Sequence, residues 1–209
     1  LPATLRSVAE RALAGAEELA GVTVAEGSTL YTAKDGVLYR NTGSYGYLTL
    51  VAYPEGKQDE TFDLSDGGKN TLRVIRIGAY AFADNAYLKE IVLPVYLRVI
   101  GAAAFYGCTS LEKITFLSAT APTLESYSYA QADGTTENVY NNFKNAIGEE
   151  HGITIVLPSN FTGYDVYLWE QYFGEIAVED GEVVGNESVT LSGTAQPIRN
   201  AINFMDRVS

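Results

Sequence analysis

Apolar residues recur along this chain with a fixed period. Residues 93–116 read LPVYLRVIGAAAFYGCTSLEKITF, and residues 1–24, which lie four 23-residue steps earlier, repeat the same apolar pattern. Residues 77–93 repeat it once more, one step of 23 before the reference copy. A period of roughly 20 to 50 residues is typical of repeats that stack on one another. We therefore predict a solenoid, in which each repeat forms one turn of the stack.

Each repeat is predicted to contain one short strand. The strand pattern is Leu-x-x-Ile-x-Leu or a close variant of it, with its last residue at positions 24, 93 and 116. Because alternate side chains of a strand point to opposite faces, the apolar positions should face the core, and positions such as Glu90 and Val92 should face outward. Before the first strand, residues 7–15 have a helix-like spacing that ends at Gly15, where a left-handed cap is favoured.

Residues 25–69 interrupt the period and have a β-rich pattern. Asp35-Gly36 is a strong signal for a two-residue hairpin turn, because both positions tolerate positive φ, and the apolar residues 30–32 and 37–39 flank it. Residues 47–53 and 61–64 alternate as two further strands. We predict a β-hairpin-rich interruption that continues the edge of the sheet.

The period is lost again after residue 117. We predict an insertion at residues 118–152, with helix near residues 137–147, and then one more strand that begins near residue 153. Residues 164–173 (YDVYLWEQYF) are predicted to be a helical cap for the open end of the stack. Residues 1–180 are thus predicted to be one repeat domain. Residues 181–209 would be a tail of unknown role that contains a strand and a short helix, or a linker.

Charge and composition exclude several classes of partner. The chain has 26 acidic and 14 basic residues and a formal net charge of −12, which argues against nucleic acid and anionic membranes as partners. It contains no apolar run of about 18 residues that would predict a transmembrane helix. The sequence begins without Met and inside a repeat, so we expect a trimmed fragment whose targeting signal, if it has one, lies upstream.

The residues that could carry catalysis are few. Cys108 occupies a repeat position whose counterparts are Ala16 and Asn85, which indicates a small buried thiol more than a reactive one. The one histidine, His151, is predicted to lie in a solvated loop. The acidic pairs are adjacent in sequence and do not converge as a glycosidase requires. Residues 133–137 could hold Ca²⁺ but lack the full loop pattern, so we predict no catalytic residue, no metal and no cofactor.

Two groups of residues are candidates for binding. The first group consists of positions predicted to face outward from the repeat strands, namely Thr23, Glu90, Lys113, Thr115 and Thr154. The second group consists of tyrosines in the insertion, where repeat proteins often place binding loops, namely Tyr127, Tyr129 and Tyr140. Tyrosine combines a large contact area with a polar tip, which suits recognition of proteins or sugars, and the chain has 15 tyrosines.

The repeat resembles a known family. IGAAAFYGCTSLEKITF at residues 100–116 is similar to the BspA-like leucine-rich repeat, whose unit runs roughly Ile-Gly-x-x-Ala-Phe-x-Gly-Cys-x-x-Leu-x-x-Ile-x-Leu-Pro. YTAKDGVLYR…LTLVAYPEGK and TIVLPSN…YLWEQYF also look like segments of that family, so the resemblance covers about residues 1–180. Asp84-Asn85 departs from it by replacing Gly-Cys, and Leu13 and Ala16 replace Phe and Cys. We expect these changes to weaken their repeats without breaking them.

The resemblance implies both a fold and a setting. The fold would be an α/β right-handed superhelix with short strands on the concave face and an irregular or short-helical convex side. The setting would be the surface or surroundings of a host-associated bacterium. We therefore predict a non-catalytic recognition or adhesion module that binds an unidentified protein or glycan. The alternatives are a carbohydrate-binding component of a polysaccharide-uptake system and a structural spacer of a longer surface protein; the sequence leaves the oligomeric state open.

Overall fold

The computed structural model describes residues 1–43, 45–65, 72–130, 136–139, 153–158, 162–164 and 188–191. Within these residues the chain forms strands and turns and no helix. The strands are β1 (Tyr31–Lys34), β2 (Val37–Asn41), β3 (Tyr47–Ala52), β4 (Thr61–Asp63), β5 (Arg73–Ile77), β6 (Glu90–Leu93), β7 (Val99–Ile100), β8 (Lys113–Phe116), β9 (Thr123–Leu124), β10 (Tyr127–Ala130), β11 (Thr136–Val139), β12 (Thr154–Pro158) and β13 (Ser188–Leu191).

The strands form two larger sheets and one isolated pair. A six-stranded sheet has the order β1-β2-β3-β5-β7-β9, a five-stranded sheet has the order β13-β12-β8-β6-β4, and β10 pairs with β11. From β3 to β8 the chain alternates between the two larger sheets, and each strand from β5 to β8 lies parallel to the equivalent strand of the preceding repeat. Arg76 lies opposite Val99 and Glu90 lies opposite Lys113. The 23-residue period is therefore the step from one repeat to the next.

The core lies between these two sheets, as the apolar period predicts. Ile91, Leu93, Ile114 and Phe116 are buried, whereas the residues between them along β6 and β8 are half-exposed. This confirms the predicted inward and outward positions. The phenylalanines of the bends also pack in the core: the Phe82 and Phe105 rings stack with their centroids 5.1 Å apart and an interplanar angle of 15°.

The bends between the two sheets stack through the backbone. The amides of Tyr80 and Phe82 donate to the carbonyls of Ala102 and Ala104, at 3.2 and 2.8 Å. Gly101 has to be a glycine in this arrangement, because a Cβ there would lie 2.4 Å from the backbone nitrogen of Ala79. The glycine that follows isoleucine in the repeat thus permits the close approach of consecutive bends.

Backbone angles support the alignment of the three repeats. Arg11, Tyr80 and Ala103 occupy equivalent positions, and all have positive φ, at 58°, 54° and 52°. A left-handed backbone is uncommon for residues other than glycine. A second equivalent set behaves in the same way, with φ of 76°, 63° and 75° at Gly15, Asp84 and Gly107. The same turn is therefore built three times, from different side chains.

Asn85 joins two consecutive repeats. Its fully buried side chain donates through Nδ2 to the carbonyls of residues 54, 55 and 57, at 3.1, 3.1 and 2.9 Å. Its Oδ1 accepts from the amides of Tyr87 and Leu88, at 3.0 and 2.9 Å. Cys108, at the equivalent position, donates its thiol to the Phe82 carbonyl at 3.1 Å. The expected weakening at Asn85 is not supported, because the amide replaces one thiol contact by a set of inter-repeat hydrogen bonds.

The first repeat differs from its prediction. Residues 7–15 form turns and no helix, and residues 19–25 form no strand. The physical reason is that Val22 is drawn to the hairpin: its amide donates to the Gly36 carbonyl at 2.9 Å, and its side chain packs with Tyr31 and Leu38 in a second, smaller core. Residues 1–24 thus cover the β1–β2 hairpin, which pairs antiparallel across Asp35-Gly36.

Four other predictions have different outcomes. The side opposite the five-stranded sheet is not irregular or helical where it is described, because Arg76-Ile77 and Val99-Ile100 pair in register within the short parallel strands β5 and β7. In the insertion, residues 136–139 are a strand and not helix, and the rest of the predicted helix lies outside the described residues. Of the predicted cap at residues 164–173, only Tyr164 is described. In the predicted tail, β13 pairs antiparallel with β12.

Candidate functional site

The outward face of the five-stranded sheet brings polar side chains from separate repeats into rows. Cross-strand partners form one row of Thr61, Glu90, Lys113 and Thr154. A second row contains Asp63, Val92, Thr115 and Val156. Neighbouring strands lie about 4.8 Å apart, so the side chains of each row follow one another across the sheet at about this distance. This surface is hereafter called the repeat face.

Ion pairs between strands neutralise much of the charge on the repeat face. Lys113 Nζ lies 2.5 Å from Glu90 Oε2, and these side chains are 37% and 46% exposed. Beside them, Lys89 Nζ lies 2.7 Å from Glu60 Oε1, and the hydrogen bond and negative charge of Glu60 raise the pKa of Lys89. Exposed pairs of this kind contribute little to stability, because water and salt screen their charges. Their side chains therefore remain available to exchange partners.

Four of the five predicted strand positions lie on the repeat face, and the fifth does not. Glu90, Lys113 and Thr154 share one row and Thr115 lies in the next. Thr23 is exposed but belongs to no strand, and its carbonyl accepts a hydrogen bond from the terminal amine of Leu1 at 2.6 Å. The placement of Thr23 on this sheet was wrong because the first repeat packs against the β1–β2 hairpin.

The sequence reasoning missed Thr61 and Asp63 as members of the repeat face. The alternation of residues 61–64 does predict their strand. It does not predict the neighbour, because Thr61 lies opposite Glu90 at a spacing that departs from the 23-residue period. The spacing of 29 residues from Thr61 to Glu90, against the period of 23, hides the relationship from a search for a fixed period.

The predicted insertion tyrosines are only partly described. Tyr127 and Tyr129 belong to β10, which pairs antiparallel with β11. Tyr140 lies outside the described residues. The backbone thus places two of the three tyrosines on a pair of antiparallel strands that belongs to neither of the larger sheets.

The candidate chemistry at Cys108 is confirmed as a buried thiol. Burial, and then the charge of Asp84, raise the pKa of Cys108 above its ordinary value, which disfavours the nucleophilic thiolate. His151 and residues 133–135 of the calcium alternative lie outside the described residues. In the described ranges, three or more histidine, cysteine or acidic side chains nowhere gather closely enough to hold a metal ion.

The repeat region matches a family model. The model is described as the BspA type leucine rich repeat region, and six copies of it match within residues 69–151. This region is a BspA-type leucine-rich repeat. The match agrees with the stacked parallel strands β5 to β8 and with the resemblance of residues 100–116. No curated protein sequence matches the chain.

Three solved structures are similar to parts of the chain. A leucine-rich repeat protein from Eubacterium ventriosum is 23% identical with a TM-score of 0.46, over 59% of this chain and 37% of that one. The pneumococcal vaccine antigen PcpA is 20% identical with a TM-score of 0.41, over 59% and 40%. A leucine rich cell surface protein from Faecalibacterium prausnitzii is 19% identical with a TM-score of 0.33, over 79% and 46%. The matched part thus spans less than half of each solved protein.

None of the described residues forms a helix that is long and apolar enough to cross a bilayer.

Proposed function

We propose that this chain is a non-catalytic recognition module of a surface-displayed or secreted bacterial protein. Its BspA-type repeats would form a right-handed solenoid with the repeat face on the concave side, and the partner would be a host or neighbouring macromolecule. Residues 1–180 would be the repeat domain, and residues 181–209 would be a C-terminal tail of unknown role whose strand β13 pairs with β12. The buried thiol of Cys108 supports a non-catalytic role, because it leaves no exposed cysteine nucleophile in the described chain.

One observation carries this proposal, namely the row of Thr61, Glu90, Lys113 and Thr154 on adjacent parallel strands. Backbone hydrogen bonds hold these positions at a constant spacing, and the buried residues beneath them belong to one core. A partner therefore meets a preorganised surface and loses little conformational freedom of the protein on binding. The weak ion pair between Glu90 and Lys113 can be exchanged for contacts to a partner at small cost.

The test is an adhesion assay with beads coated with the purified protein. We would count the beads that bind cultured epithelial cells and neighbouring bacterial cells. The variant Glu90→Ala/Lys113→Ala/Thr115→Ala should reduce binding at least about tenfold, because it removes the polar contacts of three central positions. The matched control is Thr4→Ala/Arg6→Ala/Glu18→Ala, which changes exposed residues of similar type in the first repeat.

Folding of both variants would be checked by urea unfolding. Equal bead binding by the two folded triple variants and the parent protein would show that the repeat face is not the contact site. Failure of the parent protein to bind either kind of cell would argue for the third possibility, a structural spacer within a longer surface protein.

A carbohydrate-binding role is the second candidate, and the insertion supports it. Tyr127 and Tyr129 lie on a β-hairpin outside the repeat stack, and tyrosine rings can stack on sugars. Tyr140 would complete the group. A glycan array probed with the folded protein tests this role, and loss of its signal in Tyr127→Ala/Tyr129→Ala/Tyr140→Ala would assign it to these tyrosines. An array without any signal would reject it.

A further inference from the structure

The six-stranded sheet has an unusual charge distribution for an acidic protein. The sequence contains 26 acidic and 14 basic residues. The six strands of this sheet nevertheless contain no acidic residue, while they contain Lys34, Arg40, Arg73 and Arg76. Arg98 directly precedes β7 and donates its amide to the Ile75 carbonyl at 2.8 Å, and Glu125, which directly follows β9, forms an ion pair with Arg76. The five-stranded sheet differs, because Asp63 and Glu90 accompany its Lys113.

Three arginines in or beside this sheet differ from most other cations of the described chain in their partners. Ion pairs with described carboxylates are formed by Arg11, Lys57, Arg76, Lys89 and Lys113. Arg40, Arg73 and Arg98 are exposed and form no ion pair with a carboxylate in the described part of the chain. The guanidinium of Arg73 donates instead to the Tyr45 carbonyl at 3.3 Å. In the part of the chain that the structure describes, three exposed arginines without a carboxylate partner thus lie in or beside one sheet of a protein whose net charge is negative.

The strand register places Arg40 and Arg76 in one row of this sheet, and Arg98 lies beside that row because it directly precedes Val99. Arg40 lies opposite Thr49, Thr49 lies opposite Arg76, and Arg76 lies opposite Val99. Because neighbouring strands are about 4.8 Å apart, the Cα atoms of Arg40 and Arg76 are separated by about 10 Å. Arg73 lies opposite Tyr47 and Arg76 lies opposite Thr49, two residues further along β3. The register shift in this strand pair therefore leaves both arginines on the same face although they are three residues apart. The arginines therefore form a spaced array that suits a ligand with repeated negative charges and not a single small anion.

Exposed aromatic rings lie beside the array. Tyr47 lies opposite Arg73 in the sheet. Tyr45, which is 85% exposed, packs the edge of its ring against Tyr47 with centroids 6.3 Å apart. The contact with Tyr47 leaves most of the Tyr45 ring in water, and the residue has a positive φ of 54°. An amphipathic ring next to arginines suits a sugar unit that carries an acidic group.

We propose that this surface binds an anionic polysaccharide. Arg40, Arg73 and Arg98 pair with carboxylate or sulfate groups on successive sugars, and Tyr45 and Tyr47 pack against the sugar rings. The net charge of −12 does not prevent this, because charges beyond about 8 Å are largely screened at physiological ionic strength. The surface is distinct from the repeat face, so the outcome for one is independent of the outcome for the other.

The experiment measures binding of the whole chain to immobilised polygalacturonate, a polymer of carboxylated sugars, with dextran as the neutral comparison. We expect binding to polygalacturonate and not to dextran, and weaker binding as salt is raised. Arg40→Gln/Arg73→Gln/Arg98→Gln should weaken it at least about tenfold, because three charged contacts are lost. Arg6→Gln, an exposed arginine of the first repeat, is the matched control and should leave binding unchanged.

Further probes separate a polysaccharide from other polyanions. Tyr45→Ala should weaken binding to polygalacturonate and leave binding to inorganic polyphosphate unchanged, because polyphosphate has no ring to pack on tyrosine. Absence of binding by the parent protein, or equal binding by the triple arginine variant, would overturn the proposal. Tighter binding to single-stranded DNA or polyphosphate than to polygalacturonate would also overturn it, since it would identify a general polyanion surface.

Discussion

Replacing Asn85 by alanine tests whether this side chain holds consecutive repeats together. Asn85 is fully buried and hydrogen-bonds to the loop at residues 54–57 and to the amides of Tyr87 and Leu88. Alanine retains the backbone and removes all of these contacts. The loop at residues 54–57 connects β3 to β4, and Asn85 lies between β5 and β6. The substitution should therefore weaken the contact between these two consecutive connections.

The magnitude follows from the groups that the substitution leaves unpaired. The bonds to the Pro54 carbonyl and from the Leu88 amide are fully buried, whereas the other three are partly accessible to water. Each buried polar group without a partner costs about 1 to 3 kcal/mol. Two such groups, with a smaller contribution from the accessible ones, predict a loss of about 3 to 5 kcal/mol in the free energy of unfolding.

Urea unfolding followed by circular dichroism measures this loss. Ala86→Ser, at the exposed neighbouring position, is the control and should change stability by less than about 0.5 kcal/mol. Asn85→Asp separates the two halves of the network, because it retains the acceptor for the two amides and places a carboxylate against three carbonyls. We expect Asn85→Asp to be at least as destabilising as alanine. A loss below about 1 kcal/mol for Asn85→Ala would refute the reasoning.

Two further predictions concern buried side chains. Tyr53 Oη is buried without a hydrogen bond in the described chain, so Tyr53→Phe should leave the free energy of unfolding in urea unchanged or raise it by about 1 kcal/mol. Tyr164→Phe removes the hydrogen bond to the Ser118 carbonyl and should lower the free energy of unfolding by a similar amount. Burial raises the pKa of Cys108, so at pH 8 the folded protein should react with a thiol reagent far more slowly than the unfolded protein. Because only the thiol of the unfolded protein ionises near pH ~8.5, the free energy of unfolding should fall as the pH rises further. Rapid labelling of the native protein would contradict both expectations.

The sequence by itself predicts the repeat and its core. The 23-residue period, the Leu-x-x-Ile-x-Leu strands and the inward positions of Phe82 and Phe105 could be read from the chain, because regular stacking imposes the same buried position on every copy. The same periodicity identified Glu90, Lys113 and Thr115 as outward-facing. The Asp35-Gly36 turn could also be predicted from the sequence, since few residue pairs accept positive φ at both positions.

Only the tertiary structure decided the neighbours of the irregular segments. Thr61 lies on the repeat face although its spacing to Glu90 departs from the period. Thr23 does not lie on that face although its spacing to Thr115 matches the period. Asn85 looks like a defect in the repeat and proves to be a connection to a loop 30 residues away. The physical reason is that a period reports only which side chains are buried. Contacts between segments of unequal length decide the rest. They determine which backbone groups bind the buried side chain of Asn85 and which strands the first repeat covers.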